Sequence, residues 1–84
     1  MKIFIRKQED YYILTNRKNQ TLNILDITTA YGVDPKELIK FLNSKVNDCY
    51  SEFKNYFIIL NSEKDAKDTV EWIELYIIAN KLKG

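Results

Sequence analysis

Ile24-Leu25-Asp26-Ile27-Thr28-Thr29-Ala30-Tyr31-Gly32-Val33-Asp34-Pro35-Lys36-Glu37-Leu38-Ile39-Lys40-Phe41-Leu42 sets two helical segments about a single glycine. Asn23 or Thr21 can cap a helix that starts at Ile24, and Gly32 can end it in a left-handed conformation. Asp34 then caps a second helix with Pro35 at its first position, where the missing N–H costs nothing. This second helix is expected to reach Ser44 or Val46. Leu38, Ile39, Phe41, Leu42 and Val46 share one side of it, opposite Lys36, Glu37, Lys40, Asn43 and Ser44.

Strand signals flank the pair. Lys2-Ile3-Phe4-Ile5-Arg6 alternates, and Tyr11-Tyr12-Ile13-Leu14-Thr15 is rich in β-formers, so a hairpin through Gln8-Glu9-Asp10 is expected. Asn16-Arg17-Lys18-Asn19 reads as a second turn, with a brief strand at Gln20 to Leu22. Lys54 to Leu60 is a further strand, so three or four strands can form a small antiparallel sheet. Ser62 can cap a last helix, with Asp65 at its third position, running to about Leu82. The chain is therefore read as one α+β domain over residues 1–84: a small antiparallel sheet, a helical pair and a long C-terminal helix.

Composition limits the chemistry. The 84 residues carry 13 Lys and Arg against 12 Asp and Glu, with one cysteine and no histidine. That is one small domain with one core. It also excludes an internal disulfide framework, a Cys/His zinc site and any nucleophile that relies on histidine. No Asp, Glu, Lys or Tyr pair falls in a recognisable catalytic motif, so no enzymatic activity, cofactor or metal is expected. Cys49 reads most simply as a small, half-buried hydrophobe, with a reactive thiol as the alternative. The N-terminal apolar run is three residues, too short for a secretory signal. Uncharged apolar stretches such as Leu75 to Ala79 fall far short of the ~20 residues of a membrane helix. The expectation is a cytoplasmic protein.

Charge is uneven. Residues 1–20 hold five cations and two anions, whereas 21–60 and 61–84 each hold four and five. Arg6, Lys7, Arg17 and Lys18 form the main positive cluster, with Arg17 and Lys18 at a turn tip where they can reach a partner. The bland alternative is that these charges keep a small sheet soluble and its edge unpaired.

Two helices joined by a short glycine turn resemble the helix-turn-helix family over Ile24 to Leu42. Counted from Gly32, that family has apolar or small residues five and four before, around the glycine, and six and nine after. Ile27, Thr28, Tyr31, Val33, Leu38 and Phe41 stand there. Thr28 departs from the usual alanine, which implies a slightly more open crossing. The resemblance implies that the second helix enters the major groove of double-stranded DNA, presenting Lys36, Lys40, Asn43 and Ser44. Strands ahead of and behind the pair resemble the winged-helix elaboration, with Arg17 and Lys18 as the better candidates for phosphate contact. Asn47 to Leu60 is the poorer wing. A solvated helix face is the competing reading of the same residues.

The last helix carries two apolar groups. Ala66, Thr69, Val70, Ile73, Tyr76 and Ile77 form a core face. Trp72, Leu75, Ile78, Ala79 and Leu82 lie largely opposite, and so small a chain has little with which to cover them. A partner interface is expected there, most economically a homodimer about a twofold axis, unless the sheet and the helical pair clasp this helix from both sides. The leading expectation is a dimeric, sequence-specific transcription regulator. The alternative is a non-enzymatic inhibitor or adaptor of the kind mobile elements such as phages make against host machinery.

Overall fold

The computed structural model describes residues 2–45, 50–52 and 57–83. Its elements in order are β1 (Phe4–Gln8), β2 (Tyr11–Thr15), α1 (Ile24–Tyr31), α2 (Pro35–Lys45), β3 (Tyr50–Glu52), β4 (Phe57–Ile59) and α3 (Glu63–Lys83). The fold is α+β, as the sequence implies. Expectations for Val46, Cys49 and Lys54 to Tyr56 lie outside the described residues.

The strands form two antiparallel hairpins, β1 with β2 and β3 with β4. They are joined where Tyr12 and Leu60 exchange backbone hydrogen bonds of 2.7 and 3.0 Å. On the same edge of β2, the Leu22 N–H donates to the Leu14 carbonyl at 2.8 Å, so Thr21 and Leu22 supply the expected brief third pairing. Alternation puts Leu14, Ile58 and Leu60 on the face that packs into the core, with Ile5 and Tyr12 beside them. The opposite face carries Phe4, Arg6, Ile13 and Ile59.

β1 begins two residues later than the alternation at Lys2 suggests and runs to Gln8. The connection is only Glu9-Asp10, with Gln8 paired directly to Tyr11. Glu9 takes a left-handed φ of 56°, a conformation that glycine and asparagine adopt more readily than glutamate.

The helix ends follow side-chain chemistry. Asn23 and Asp26 form a reciprocal capping box, each carboxamide or carboxylate oxygen accepting the other's backbone N–H at 2.9 Å. Gly32, at φ 67°, closes α1 with its N–H on the Thr28 carbonyl. Asp34 Oδ1 accepts from the Lys36 N–H at 2.9 Å, and Ser62 Oγ accepts from the Asp65 N–H at 3.1 Å. Thr28 is buried, and its hydroxyl donates back to the Ile24 carbonyl at 2.9 Å. Its polar group is thereby satisfied on its own helix at the place where the family resemblance calls for alanine.

The core is continuous. Ile24 and Ile27 of α1, Leu38 and Leu42 of α2, and Ala66 and Ile73 of α3 are buried against the inner sheet face. On α3, Ala66, Thr69, Ile73 and Ile77 are buried and Val70 and Tyr76 half-buried, which is the inner face expected from helical spacing.

Candidate functional site

α2 offers the first candidate surface. Lys36, Lys40, Asn43 and Ser44 are all exposed on its outer flank, with Glu37 beside them. Neither Lys36 nor Lys40 has an ion-pair partner among the described residues. Ser44 is less available, because its hydroxyl donates to the Phe41 carbonyl at 2.6 Å. The inner flank fixes the helix: Phe41 meets Trp72 and Tyr76 of α3 with ring centroids 5.9 and 5.0 Å apart. The Lys45 ammonium sits 5.1 Å from the centre of the Trp72 ring and 5.8 Å from that of Phe41. Such contacts hold the outer flank at a fixed angle to the rest of the chain.

Arg17 and Lys18 are not part of that surface. They line a groove of about 860 Å³ between the start of the chain, the turn after β2 and the C-terminal half of α3, and no residue of α2 lines it. At about 100° per residue, Trp72 and Tyr76, which hold α2, lie roughly opposite Glu74, Ile78 and Lys81, which line the groove. Helix α3 therefore separates the two sets of cations that the sequence reading joined in one interface.

The turn carrying Arg17 and Lys18 is firmly built. Asn16 Oδ1 accepts from the backbone N–H of Lys18 and of Gln20, both at 2.9 Å. The Asn19 N–H reaches the Asn16 carbonyl at 3.0 Å, and Asn19 itself is left-handed at φ 65°. Arg6 reaches the Asn19 carbonyl at 3.2 Å. Across the groove the Lys81 ammonium lies 5.7 Å from the centre of the Tyr31 ring. Lys2 and Lys81 escape a sequence reading because they come from opposite ends of the chain. The one local signal is the Asn16/Asn19 turn.

The expected partner face of α3 divides. Leu75 and Ile78 are 51% and 54% exposed and Ala79 is exposed beside them. Trp72 is half-buried against Phe41 and Lys45, so much of its ring is used within the chain. The Leu82 side chain lies outside the described residues. Among the described residues no helix is long and apolar enough to cross a membrane, and no group of three or more His, Cys, Asp or Glu is placed to hold a metal ion. Comparison of the chain with family models, curated proteins and solved structures gives no match to any of them.

Proposed function

We propose that this chain is a small, non-enzymatic DNA-binding regulator of helix-turn-helix type that lays α2 in the major groove. Lys36 and Lys40 reach guanine edges or phosphates, and Asn43 pairs with adenine. The observation that supports this reading is the unit itself: a capped α1, a turn of Gly32, Val33 and Asp34, and an α2 whose outer flank is polar and exposed while its inner flank is locked by Phe41. Arg17 and Lys18 have no part in it, since they lie across α3 from that flank. A homodimer through Leu75, Ile78 and Ala79 would present two copies of α2 to a twofold site.

A mobility-shift assay against random genomic fragments tests the proposal. Retardation at low salt that is lost in a Lys36→Gln/Lys40→Gln variant supports it. No retardation, or retardation unchanged in that variant, overturns it.

The exposed Leu75 and Ile78 on a chain of net charge +1 favour a second reading, a protein-directed inhibitor or adaptor. Recovery of one stoichiometric protein partner by a chain that sediments as a monomer, with capture lost in Leu75→Ser/Ile78→Ser, would select it.

A further inference from the structure

The groove beside α3 combines three properties that a merely solvated surface does not bring together. It is an open groove, and its volume of about 860 Å³ is of the size of small-molecule sites, roughly 300–1,000 Å³. Its charge is one-sided: Lys2, Arg17, Lys18 and Lys81 line it against the single carboxylate of Glu74, in a chain whose cations and anions otherwise nearly balance. Its base is apolar, with Ile3 and Ile77 closing it from below and Ile78 standing 54% exposed in its wall.

The backbone that carries two of the cations is fixed, and a third cation is itself held in place. Asn16 pins the turn that presents Arg17 and Lys18, and the Tyr31 ring supports the Lys81 ammonium. Preorganised cations lose less freedom on meeting an anion than freely rotating surface lysines do.

We propose that this groove binds a small organic anion with an apolar body, its oxyanion group toward Arg17 and Lys18 and its body along Ile78 and Tyr31. Carboxylates, phosphates and sulfonates share the required chemistry. Arg17 supplies a planar fork that suits two oxygens of one such group, and Lys18 supplies a second positive charge. The Asn16 and Gln20 amides of the lining are spent on the turn, Asn16 Nδ2 donating to Gln20 Oε1 at 2.9 Å, which stiffens the wall beside the cations. An inorganic anion alone would leave the isoleucine wall in water, and a neutral apolar molecule would leave the cations unused.

The test titrates the full chain with 8-anilinonaphthalene-1-sulfonate, following its fluorescence. The neutral N-phenyl-1-naphthylamine and inorganic phosphate serve as the apolar-only and anion-only arms. The expected result is saturable 1:1 binding of the sulfonate, weakened about fivefold or more in Arg17→Gln/Lys18→Gln and in Lys81→Gln. Circular dichroism checks that each variant is folded. Lys36→Gln/Lys40→Gln should bind the dye as the unaltered chain does, so the groove and the DNA reading fail separately. Equal affinity for the neutral amine, full displacement by millimolar phosphate, or indifference to the groove substitutions would each overturn the proposal. Displacement of the dye by polyglutamate at lower concentration than by any small anion would also overturn it, in favour of an acidic protein partner.

Discussion

The Phe41 ring meets the Trp72 ring edge-on, with centroids 5.9 Å apart and planes inclined at 73°. This contact ties α2 to α3 and sets the angle at which the outer flank of α2 faces its surroundings. Phe41→Ala removes it together with the Tyr76 contact. Urea denaturation should show a loss of about 2–4 kcal/mol, below the full cost of emptying a core phenylalanine because the ring is only half-buried. Trp72 is the sole tryptophan, so its emission should shift to the red in the variant. An unshifted spectrum with unchanged stability would mean the rings are not in contact.

Thr69 and Thr28 are both buried, and they predict opposite outcomes. Thr69 Oγ1 has no hydrogen-bond partner among the described residues, whereas Thr28 Oγ1 donates to the Ile24 carbonyl at 2.9 Å. Thr69→Val keeps the shape and removes an unsatisfied group, so it should stabilise by about 1 kcal/mol. Thr28→Val should cost about 0.5–1 kcal/mol by the same principle. Denaturant midpoints moving in the same direction would contradict the assignment.

Two left-handed positions give a second opposed pair. Gly32 has φ 67°, and a Cβ there would meet nothing within 4 Å, so Gly32→Ala should cost about 1–2 kcal/mol for conformational reasons alone. Glu9 already stands at φ 56°. Glu9→Asn should therefore stabilise, by up to about 1 kcal/mol, as thermal unfolding would register.

The DNA reading makes a quantitative statement about salt. If Lys36 neutralises one phosphate, Lys36→Gln lowers the slope of log affinity against log salt by about 0.9, and Arg17→Gln leaves that slope unchanged. Equal effects of both substitutions would return Arg17 to the DNA surface.

The twofold reading rests on Leu75 and Ile78. Sedimentation of the unaltered chain should give a mass near twice 10.0 kDa, and Leu75→Ser/Ile78→Ser should return it to that of one chain with little loss of helix content. A monomer at high concentration would leave the exposed stripe to a different protein.

Caps and breakers carry most of what the sequence reveals. Asn23, Gly32, Asp34-Pro35 and Ser62 each mark a helix end by a local hydrogen bond or a fixed dihedral, and the structure has a helix end at each. The end of β1 is less legible, because a glutamate in a left-handed turn carries no compositional signal. On α3 the inner face follows from spacing alone, yet Trp72 is half-buried against α2 although the helical wheel groups it with Leu75. Its long ring reaches around the helix to Phe41, and a wheel records azimuth without reach. The groove was illegible for a different reason: its cations belong to both ends of the chain and meet only after the sheet and α3 have packed.

The two hydrogen bonds between Tyr12 and Leu60 join the hairpins across 48 positions of chain. Closing a flexible loop of that length costs roughly 3 kcal/mol plus a constant. Much of that loop is α1 and α2, whose caps and i to i+4 bonds form locally and shorten the distance to be searched. The order of folding implied is helices and N-terminal hairpin first, with the Tyr12–Leu60 junction closing late. Substitutions at Leu60 should then chiefly speed unfolding, whereas damage to the Asn23–Asp26 box should slow folding itself.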